Sequence, residues 1–490
     1  MRHRSALLAV ALLLPFTPAQ AQTATRAAPP SLESIDSLAH AAIATGRVPG
    51  LSIAIMQDGR ITLAKGYGTT SVGKGGVPVD ANTRFAIGSV TKQFTSAAIF
   101  LLAEEGRLSV HDPVAKWYPA LTRAQDITLL DLMNHVSGYP DYYPLDFVDR
   151  RMQQVASAES IIARYASGAL DFEPGTRWSY SNTGFIILGR VVERVSGESF
   201  GGFLSRRIFR PVGMRHTTYE PAKTNGAGWA TGHTSFALGP LVTTKPEGRG
   251  WAGAAGAIWS TPSDLATWDL ALSEGRVLKP ESYALMTRPR LLANGANTKY
   301  ACGLDVDIIH GWTVLSHGGA VSGFISSNRF VPDARSALIM LTNGESGQGL
   351  QPIDVAGRRI ITAGEAPSRD STIASANPAS LQEATTIPTI NGPSPVDAAT
   401  SLFTALQQGS VDRAGLSEEY SHFLTPEKLR VAAAALGPLG RPDTVTQQWR
   451  GERGGLEVAV TGFKFGTRKL QGLMYRSTDG KVEEFLITEP

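Results

Sequence analysis

The sequence of 490 residues is almost free of cysteine, and Cys302 is its single thiol. One thiol excludes an intramolecular disulfide framework and a cysteine-rich zinc site. We therefore expect Cys302 to be a small packed residue. The hydrophobic content of 42% is typical of a globular chain, and the length allows two or three domains.

The sequence also lacks a large excess of charge of either sign. It carries 46 Lys and Arg residues against 43 Asp and Glu residues, and charged residues make up only 18% of the chain. No run rich in Lys and Arg occurs. A nearly neutral chain without such a run lacks the electrostatic surface that nucleic acid requires, so we expect no nucleic-acid partner.

Long hydrophobic runs are scarce, and the run of interest lies near the N-terminus. Two arginines precede the apolar residues 6–16, and Ala19-Gln20-Ala21 has the pattern of a signal-peptidase site. The apolar run is shorter than the roughly 20 residues that span a bilayer. The sequence therefore predicts a secretory signal over residues 1–21, cleavage after Ala21, a periplasmic or secreted location and no stable membrane anchor.

Residues 31–363 alternate between helix-like and strand-like stretches, which predicts a mixed domain. Residues 51–56 and 60–64 flank Asp58-Gly59, the pattern of a β-hairpin. Residues 89–106 are apolar on most sides and predict a buried helix. Strand-like stretches return near the end of the domain, at residues 312–315, 323–331 and 337–341. The sheet is therefore expected to combine both ends of the domain.

The C-terminal part of the chain changes character twice. Residues 364–395 hold five prolines among Ser, Thr and Ala, and they predict a linker or an extended wrap. Residues 396–490 predict a small α+β domain in which helices precede antiparallel strands. The predicted helices lie at 396–408, 417–424 and 426–436, and the predicted strands lie at 445–450, 456–465, 470–476 and 482–488.

This helix-then-sheet order weakly resembles the small cone-shaped domains of the nuclear-transport-factor-2-like kind, a likeness of fold alone. Such a domain can bind a ligand, cap the active site, mediate dimerisation or simply stabilise the chain. The sequence slightly favours the last of these interpretations. It does not predict an oligomeric state.

Chemistry is first suggested by Ser89-Val90-Thr91-Lys92, at the start of the predicted buried helix. Residues i and i+3 share a helix face, so the amine can contact the hydroxyl. A desolvated lysine has a lowered pKa and can activate a serine, which is otherwise a poor nucleophile. A plainer interpretation makes Ser89 a helix N-cap and leaves Lys92 in solvent. A second copy of the spacing, from Ser71 to Lys74, lies among glycines and predicts a turn.

The triplet Tyr180-Ser181-Asn182 is the only Y-x-N in the chain. A phenol beside a lysine ammonium can be held as phenolate, which accepts a proton. Asn182 can donate to a substrate carbonyl and orient the lysine. Taken alone, Tyr180 is better interpreted as an aromatic residue at the edge of the core.

The triplet His317-Gly318-Gly319 is the only H-x-G. Its two glycines allow a substrate backbone to approach a strand closely, and the imidazole can donate to a substrate or leaving group. Taken alone, His317 is better interpreted as a loop histidine at the end of a strand.

Together and in this order, S-x-x-K, Y-x-N and H-x-G resemble the serine β-lactamase and penicillin-binding-protein family. The likeness is greatest to its class C-like branch, which includes esterases and D-aminopeptidases, and it covers about residues 31–363. Further stretches that are similar to family landmarks lie at residues 130–142, 172–185, 211–214 and 256–265.

The resemblance implies a role for each motif residue. Ser89 would be the acylated nucleophile, and Lys92 would be its proton partner. Tyr180 would be the general base, and Asn182 would be the orienting amide. His317 would occupy the place where β-lactamases and carboxypeptidases of the family carry the lysine of K-T-G.

The resemblance also implies the fold and the surroundings of the site. The expected fold is a mixed, mostly antiparallel α/β sheet flanked by helices, with a helical subdomain and the site between them. Backbone N–H groups of Ser89 and Ala320 would form the oxyanion hole. Neither a cofactor nor a metal is expected. The residues considered for the substrate pocket are Gly318, Gly319, Tyr139, Tyr142, Tyr143 and Trp178.

The histidine at position 317 suggests which substrates are favoured. Histidine is mostly neutral at pH 7, so strong selection for a substrate carboxylate is not expected. The sequence therefore predicts a serine hydrolase that cleaves small esters, amides or D-amino-acid peptides through an acyl-enzyme, with weak β-lactam turnover at most. A true class C-like β-lactamase or DD-carboxypeptidase, and an acyl-binding sensor without turnover, are the alternatives.

Two other hydrolase classes fit less well. Residues 197–201 match G-x-S-x-G, but the nucleophile elbow needs a strand before its serine, and here a helix-like stretch precedes it. Ser199 is therefore expected to cap the next helix, over residues 200–209. A metallohydrolase is disfavoured because no H-E-x-x-H and no closely spaced ligand cluster occurs.

Overall fold

The computed structural model describes residues 29–489, except 74, 144, 146, 225, 346, 348 and 368–386. The predicted signal over residues 1–21, Lys74, Pro490 and most of the predicted linker therefore lie outside the described residues. Among the described helices, none combines the length and the apolar content needed to cross a bilayer.

The strands are numbered in chain order. They are β1 Gly50–Gln57, β2 Arg60–Gly68, β3 Phe85–Ala86, β4 Thr218–Tyr219, β5 His233–Thr234, β6 Val242–Thr243, β7 Ile258–Ser260, β8 Asp305–Ile309, β9 Trp312–Val321, β10 Phe324–Val331, β11 Ser336–Thr342, β12 Thr444–Arg453, β13 Leu456–Phe465, β14 Arg468–Arg476 and β15 Val482–Thr488.

The helices are numbered in the same way. They are α1 Leu32–Ala44, α2 Thr91–Glu104, α3 Leu129–Met133, α4 Ala158–Tyr165, α5 Asn182–Ser196, α6 Phe200–Leu204, α7 Arg210–Val212, α8 Gly253–Gly256, α9 Pro262–Ser273, α10 Pro280–Met286, α11 Leu350–Ile361, α12 Pro395–Gln408, α13 Glu418–Phe423 and α14 Pro426–Leu436.

The central sheet is antiparallel and combines both ends of the first domain, as predicted. Its strand order is β2–β1–β11–β10–β9–β8. The predicted hairpin between β1 and β2 is confirmed. Asp58 and Gly59 have φ values of 49° and 73°, the left-handed pair that a type I′ turn requires.

Helix α2 is the buried helix that the sequence predicts. Every residue from Thr91 to Leu102 is buried, and the helix packs against α5, α8 and α10. The chain leaves the helix at Gly106, whose φ of 70° is a conformation that favours glycine. The α-helix begins at Thr91, after a short 3₁₀ turn over Gly88–Val90.

The sequence predictions for Ser199 and Cys302 are confirmed. Helix α5 precedes Ser199, and the Ser199 side chain accepts a hydrogen bond from the backbone of Gly202 at the start of α6. The expected helix over residues 200–209 consists of α6, Phe200–Leu204, followed directly by a π-helical segment over Ser205–Phe209. Cys302 is buried, and its burial raises the pKa of the thiol to about 12.

The C-terminal domain has the predicted α+β order. Helices α12, α13 and α14 precede an antiparallel sheet with the strand order β12–β13–β14–β15. The interior of this domain holds an ion pair: the Arg476 guanidinium donates to the Glu457 carboxylate, with Nε at 2.7 Å from Oε2, and both side chains are almost fully buried. Arg450 donates to the other Glu457 oxygen at 2.7 Å.

The two domains pack against each other through an aromatic contact and an ion pair. The ring of Phe147 lies 4.7 Å from that of Phe423 and 5.8 Å from that of Tyr420, both on α13. Beside them, the Arg150 guanidinium contacts the carboxylates of Glu418 and Glu419. This interface places the sheet of the C-terminal domain over one face of the first domain.

We predict that Glu457→Gln destabilises the C-terminal domain by about 3 kcal/mol, because it leaves the buried Arg476 charge without its partner. The free energy of unfolding in urea, followed by tryptophan fluorescence, measures the loss. Arg468→Gln is the matched control: it breaks the exposed pair with Glu489 and should cost at most about 1 kcal/mol. Equal losses in the two variants would contradict the prediction.

Candidate active site

Ser89 lies in the 3₁₀ turn that leads into α2, and its position depends on the residue before it. Gly88 has a φ of 50°, and a Cβ at this position would lie 2.8 Å from the backbone nitrogen of Ala320. Glycine therefore allows the turn to lie directly against β9. The Ser89 side chain makes no capping hydrogen bond, so the N-cap interpretation of this residue is wrong.

Lys92 is fully buried, and its amine contacts acceptors from three parts of the chain. Nζ lies 3.0 Å from Ser89 Oγ, 2.7 Å from Asn182 Oδ1 and 2.9 Å from the Ala255 carbonyl oxygen. Burial lowers the pKa of Lys92 to about 7, although Asp141 acts in the opposite direction. A large fraction of the amine is therefore neutral near pH 7, a state in which it can accept a proton from the serine.

Asn182 accepts a hydrogen bond from the lysine, and its amide is held from behind by Asp141. Its Nδ2 lies 3.0 Å and 3.3 Å from the two oxygens of Asp141, and its backbone N–H donates to the same carboxylate. The two oxygens of one carboxylate lie in nearly the same direction from Nδ2, so they take one of its two N–H groups, and the expected donation to a substrate carbonyl stays a prediction. Asp141 fixes the amide so that Oδ1 accepts from Lys92.

Tyr180 lies on the other side of the serine. Its ring centroid is 4.8 Å from Lys92 Nζ, and its hydroxyl hydrogen-bonds to Ser89. Burial is the main cause that raises the pKa of Tyr180 above its ordinary value. The sequence suggests a phenolate here, whereas this environment favours the neutral phenol. Near pH 7 much of the Lys92 amine is neutral and can accept a proton, whereas the Tyr180 phenol remains protonated, so Lys92 is the better proton acceptor of the two.

His317 is part of a buried chain of hydrogen bonds rather than a free donor. Its Nδ1 contacts the Gly318 carbonyl oxygen, which can only accept, so Nδ1 carries the proton. Its Nε2 then accepts from the Tyr300 hydroxyl at 2.8 Å. Tyr300 in turn accepts from His135 Nε2 at 3.2 Å, and His135 Nδ1 accepts from the backbone of Ser181 at 3.1 Å.

Burial keeps His317 neutral. Burial and the nearby Lys92 together lower the pKa of His317 to about 3, although the hydrogen bond to the Gly318 carbonyl acts in the opposite direction. The prediction of a neutral residue in this place agrees with that direction. Both ring nitrogens have partners inside the protein, so the expected donation from His317 to a substrate is not available in this structure. The interpretation as a loop histidine is wrong, since His317 lies within β9.

The C-terminal part of β9, next to Ser89, extends past the end of the adjacent strand β8. The pairing of β8 with β9 runs from Ile309 opposite Trp312 to Asp305 opposite Ser316, so residues 317–321 extend past it. Ala320 is in this extension, next to the turn that carries Ser89. The two backbone groups expected to form the oxyanion hole are thus neighbours.

The two glycines after His317 differ in their surroundings. A Cβ on Gly319 would lie 2.1 Å from the Ile87 carbonyl oxygen, so Gly319 is required for the close contact with the serine turn. The corresponding nearest atom at Gly318 is 3.8 Å away, an ordinary contact. Close approach at Gly319 is therefore to the protein's own backbone, and only Gly318 has room for a side chain.

The site opens into a cleft of about 1270 Å³ that both domains line. Tyr142, Tyr143 and Trp178 line it, as do the H-x-G residues. Tyr139 does not; its hydroxyl donates to the Thr122 carbonyl oxygen at 2.9 Å within the core. Within the described part of the chain, no group of three or more His, Cys, Asp or Glu side chains is arranged to hold a metal ion.

The C-terminal domain forms one wall of this cleft, a role that the sequence left among several alternatives. The wall residues lie on β12 to β15 and include Trp449, Arg453, Val458, Leu473, Tyr475 and Leu486. A function in stability alone, which the sequence slightly favours, does not account for their place in the cleft.

Sequence reasoning missed four residues of the site: His135, Asp141, Tyr300 and Arg453. The first two lie within residues 130–142, which resemble a family landmark, so that stretch was a signal for them. Tyr300 and Arg453 lie in stretches without a recognised motif. They are located only by the fold, which brings them to Tyr180 from distant parts of the chain.

This fold and this site define the class of serine hydrolases related to β-lactamases and penicillin-binding proteins. Residues 35–361 match the family model described as Beta-lactamase. The chain therefore belongs to the β-lactamase family. The match falls within the domain that the motifs predict, and the recognition made from those motifs is confirmed.

The curated relatives include a penicillin-binding protein. The chain is 28% identical over 282 residues to penicillin-binding protein 4* of Bacillus subtilis, covering 55% of this chain and 62% of that protein. It is 30% identical over 244 residues to protein flp of Staphylococcus aureus, covering 49% and 48% of the two chains. The chain thus spans about half to three fifths of the length of these relatives.

Solved structures with the same fold include amide hydrolases. The D-stereospecific amidohydrolase of a Streptomyces species is 27% identical, with a TM-score of 0.57 and coverage of 69% of this chain and 100% of that one. D-amino acid amidase of Ochrobactrum anthropi is 25% identical, with a TM-score of 0.59 and coverage of 67% and 98%. An octameric penicillin-binding protein homologue of Pyrococcus abyssi, 22% identical with a TM-score of 0.60, covers 94% of this chain and shows likeness of fold alone.

We predict that Lys92→Met removes a pH-dependent part of the stability. Between pH 7 and pH 9, Lys92 holds a proton in the unfolded chain and largely lacks it in the folded one, so the free energy of unfolding rises with pH by up to about 1.4 kcal/mol per unit. Urea unfolding at pH 7, 8 and 9 measures the slope. The exposed Lys464→Met serves as control and should keep the wild-type slope. Parallel slopes for Lys92→Met and wild type would contradict the prediction.

Proposed function

We propose that this protein hydrolyses small esters and amides through an acyl-enzyme on Ser89, with amides of D-amino acids as the favoured substrate class. The observation that carries the proposal is the 3.0 Å contact between Ser89 Oγ and a buried lysine amine of lowered pKa. Such an amine supplies the base that a serine nucleophile needs near neutral pH.

In the acylation step, Ser89 Oγ attacks the substrate carbonyl carbon while its proton passes to the neutral amine of Lys92. The new C–O bond places negative charge on the carbonyl oxygen, which the N–H groups of Ser89 and Ala320 stabilise. The C–N or C–O bond to the leaving group then breaks. The leaving group takes a proton that returns from the Lys92 ammonium, with the neutral phenol of Tyr180 beside Ser89 as the relay.

In the deacylation step, a water molecule attacks the ester carbon of the acyl-enzyme and gives up a proton to Lys92. The bond between that carbon and Ser89 Oγ breaks, and Oγ recovers the proton. Asn182 and Asp141 keep the amine in place through both steps, because the Asn182 amide is held by hydrogen bonds to the Asp141 carboxylate.

Two observations support amides and esters over β-lactams. His317 is neutral, so β9 offers no fixed cation for the carboxylate of a penicillin. The names of the structural relatives include a D-stereospecific amidohydrolase and a D-amino acid amidase. Apolar side chains of the cleft, such as Trp178, Leu473 and Val321, favour substrates with an apolar or aromatic group.

We predict that Ser89→Ala lowers kcat/KM for D-phenylalanine amide and for p-nitrophenyl butyrate by at least about 10³-fold, because the covalent route is lost. The initial release of ammonia or p-nitrophenol measures it. The exposed Ser37→Ala is the matched control and should keep wild-type rates. Sustained release unchanged by Ser89→Ala would overturn the proposed function.

The same assay separates the proposal from its alternatives. Wild-type protein should release product well beyond one equivalent, whereas an acyl-binding sensor stops after one. With a chromogenic cephalosporin as substrate, we expect kcat/KM at least about tenfold below that for the amide, since the carboxylate lacks its cation. The reverse ranking would favour the β-lactamase alternative.

We further propose that residues 1–21 direct export to the periplasm or the exterior. The support is the charged, apolar and Ala-x-Ala pattern of the sequence. Expression of the full chain in a Gram-negative host, followed by mass spectrometry, should give a mature N-terminus at Gln22 in the periplasmic fraction. Retention of residues 1–21 in the cytoplasmic fraction would contradict this prediction.

A further inference from the structure

We propose that the C-terminal domain is part of the catalytic machinery, and that its residue Arg453 is a positioning residue that holds Asp141 behind Asn182 and Lys92. The inference rests on the proposed acyl transfer at Ser89 and goes beyond it, because it makes one site depend on both domains.

The first observation is the place of Arg453. It ends β12, at a turn formed by Gly454 and Gly455, and its half-buried guanidinium extends into the first domain. Nη2 lies 3.7 Å from Asp141 Oδ2 and 3.3 Å from the Tyr143 carbonyl oxygen. The guanidinium carbon is 5.9 Å from the centre of the Tyr180 ring.

The second observation is that Asp141 connects this guanidinium to the nucleophile. Asp141 has no exposed side-chain surface, and its carboxylate accepts from both the backbone and the side chain of Asn182. Asn182 Oδ1 accepts from Lys92 at 2.7 Å, and Lys92 contacts Ser89 at 3.0 Å. A buried carboxylate needs a cation to offset its lost hydration, so the position of Arg453 is coupled to the geometry of the serine.

The third observation is that Glu452, the residue before Arg453, lies against Ser179, the residue before Tyr180. Glu452 lies beside Ser179, whose hydroxyl lowers the pKa of the carboxyl slightly against the larger effect of burial, and Glu452 Oε1 accepts from the backbone of Gly455 at 2.7 Å. Two consecutive side chains of the C-terminal domain therefore lie against Ser179 and Tyr180. Adjacent contacts of this kind fix the hairpin relative to the site, which a stabilising domain packed elsewhere does not require.

The charge of Arg453 also acts on the base. It lowers the pKa of Lys92, whereas the Asp141 carboxylate raises it. The two buried histidines nearby have lowered pKa values and add no charge near pH 7. The groups that face Lys92 from the surrounding elements are Ser89, His135, Asp141, Tyr180, His317 and Arg453.

The test is the pH dependence of kcat/KM for D-phenylalanine amide, measured on the full chain. The acid limb reports the deprotonation of Lys92. In Arg453→Gln it should move up by about one pH unit, because a nearby cation is lost, so that kcat/KM at pH 6 falls about tenfold relative to wild type. In Asp141→Asn it should move down, since the amide keeps the Oδ1 acceptor for Asn182 but lacks the charge.

Arg468→Gln is the matched control, because it removes one exposed arginine from the same domain and should leave the profile at its wild-type position. Arg453→Lys keeps a cation and an apolar stem, so its acid limb should remain near that of wild type even if kcat falls. This variant also carries the test if Arg453→Gln fails to fold, as circular dichroism would show. If the acid limb of kcat/KM in Arg453→Lys moved up by the full shift of about one pH unit that is predicted for Arg453→Gln, the proposal would be overturned.

An Arg453→Gln limb that coincides with that of Arg468→Gln would equally overturn the positioning role of Arg453. The same holds if Arg453→Gln and Asp141→Asn shift the limb in the same direction. These outcomes can be told apart from failure of the proposed function. In that case Ser89→Ala would retain activity, and the acid limb of kcat/KM would not describe a reaction at Ser89.

Discussion

A lysine amine without any contact to solvent is the constraint on which the rest of the active site depends. Removing Lys92 from water disfavours its charge, and the polar nitrogen still requires hydrogen-bond partners. The protein supplies them from three separate segments: the serine turn, the start of α5 and the carbonyl end of α8. Each of these segments must therefore lie within hydrogen-bond distance of one atom.

This requirement explains the small residues around the site. A Cβ on Gly189 of α5 would lie 2.4 Å from the Cβ of Ala254, so glycine allows α5 and α8 to pack closely. The Ala255 carbonyl is thereby brought to the amine. In the same way, Gly88 and Gly319 allow the serine turn to lie against β9. A methyl group on Gly88, Gly189 or Gly319 would push apart the two segments that meet there. The hydrogen bonds to Lys92 would then lengthen.

Two networks of different electrical character hold Tyr180. On one side, Asp141 and Arg453 form a charged pair behind Asn182 and Lys92. On the other side, a neutral chain of donors and acceptors runs from His135 through Tyr300 to His317. The fixed cations that line the cleft are arginines, Arg47 of the first domain and Arg450 and Arg453 of the C-terminal domain, and none of them lies on β9.

The elements with local signals were predictable. Asp58-Gly59 marked the first hairpin, Gly106 marked the end of α2, and the strands of the C-terminal domain begin and end close to the predicted residues. The motif residues were located for the same reason, since the spacing from Ser89 to Lys92 is that of one helical turn. The state of Tyr180 was not predictable, because the pKa of a phenol depends on how much water its surroundings exclude.

The sequence by itself determined the family, the order of the elements and the residues that carry the proposed chemistry, because these depend on residue type and short spacing. Only the tertiary structure decided that Asp141 holds Asn182, that His317 is tied to Tyr300, and that Arg453 of the C-terminal domain lies at the site. These contacts join residues far apart in the chain. Their existence depends on how the two domains pack, and no local pattern encodes that packing.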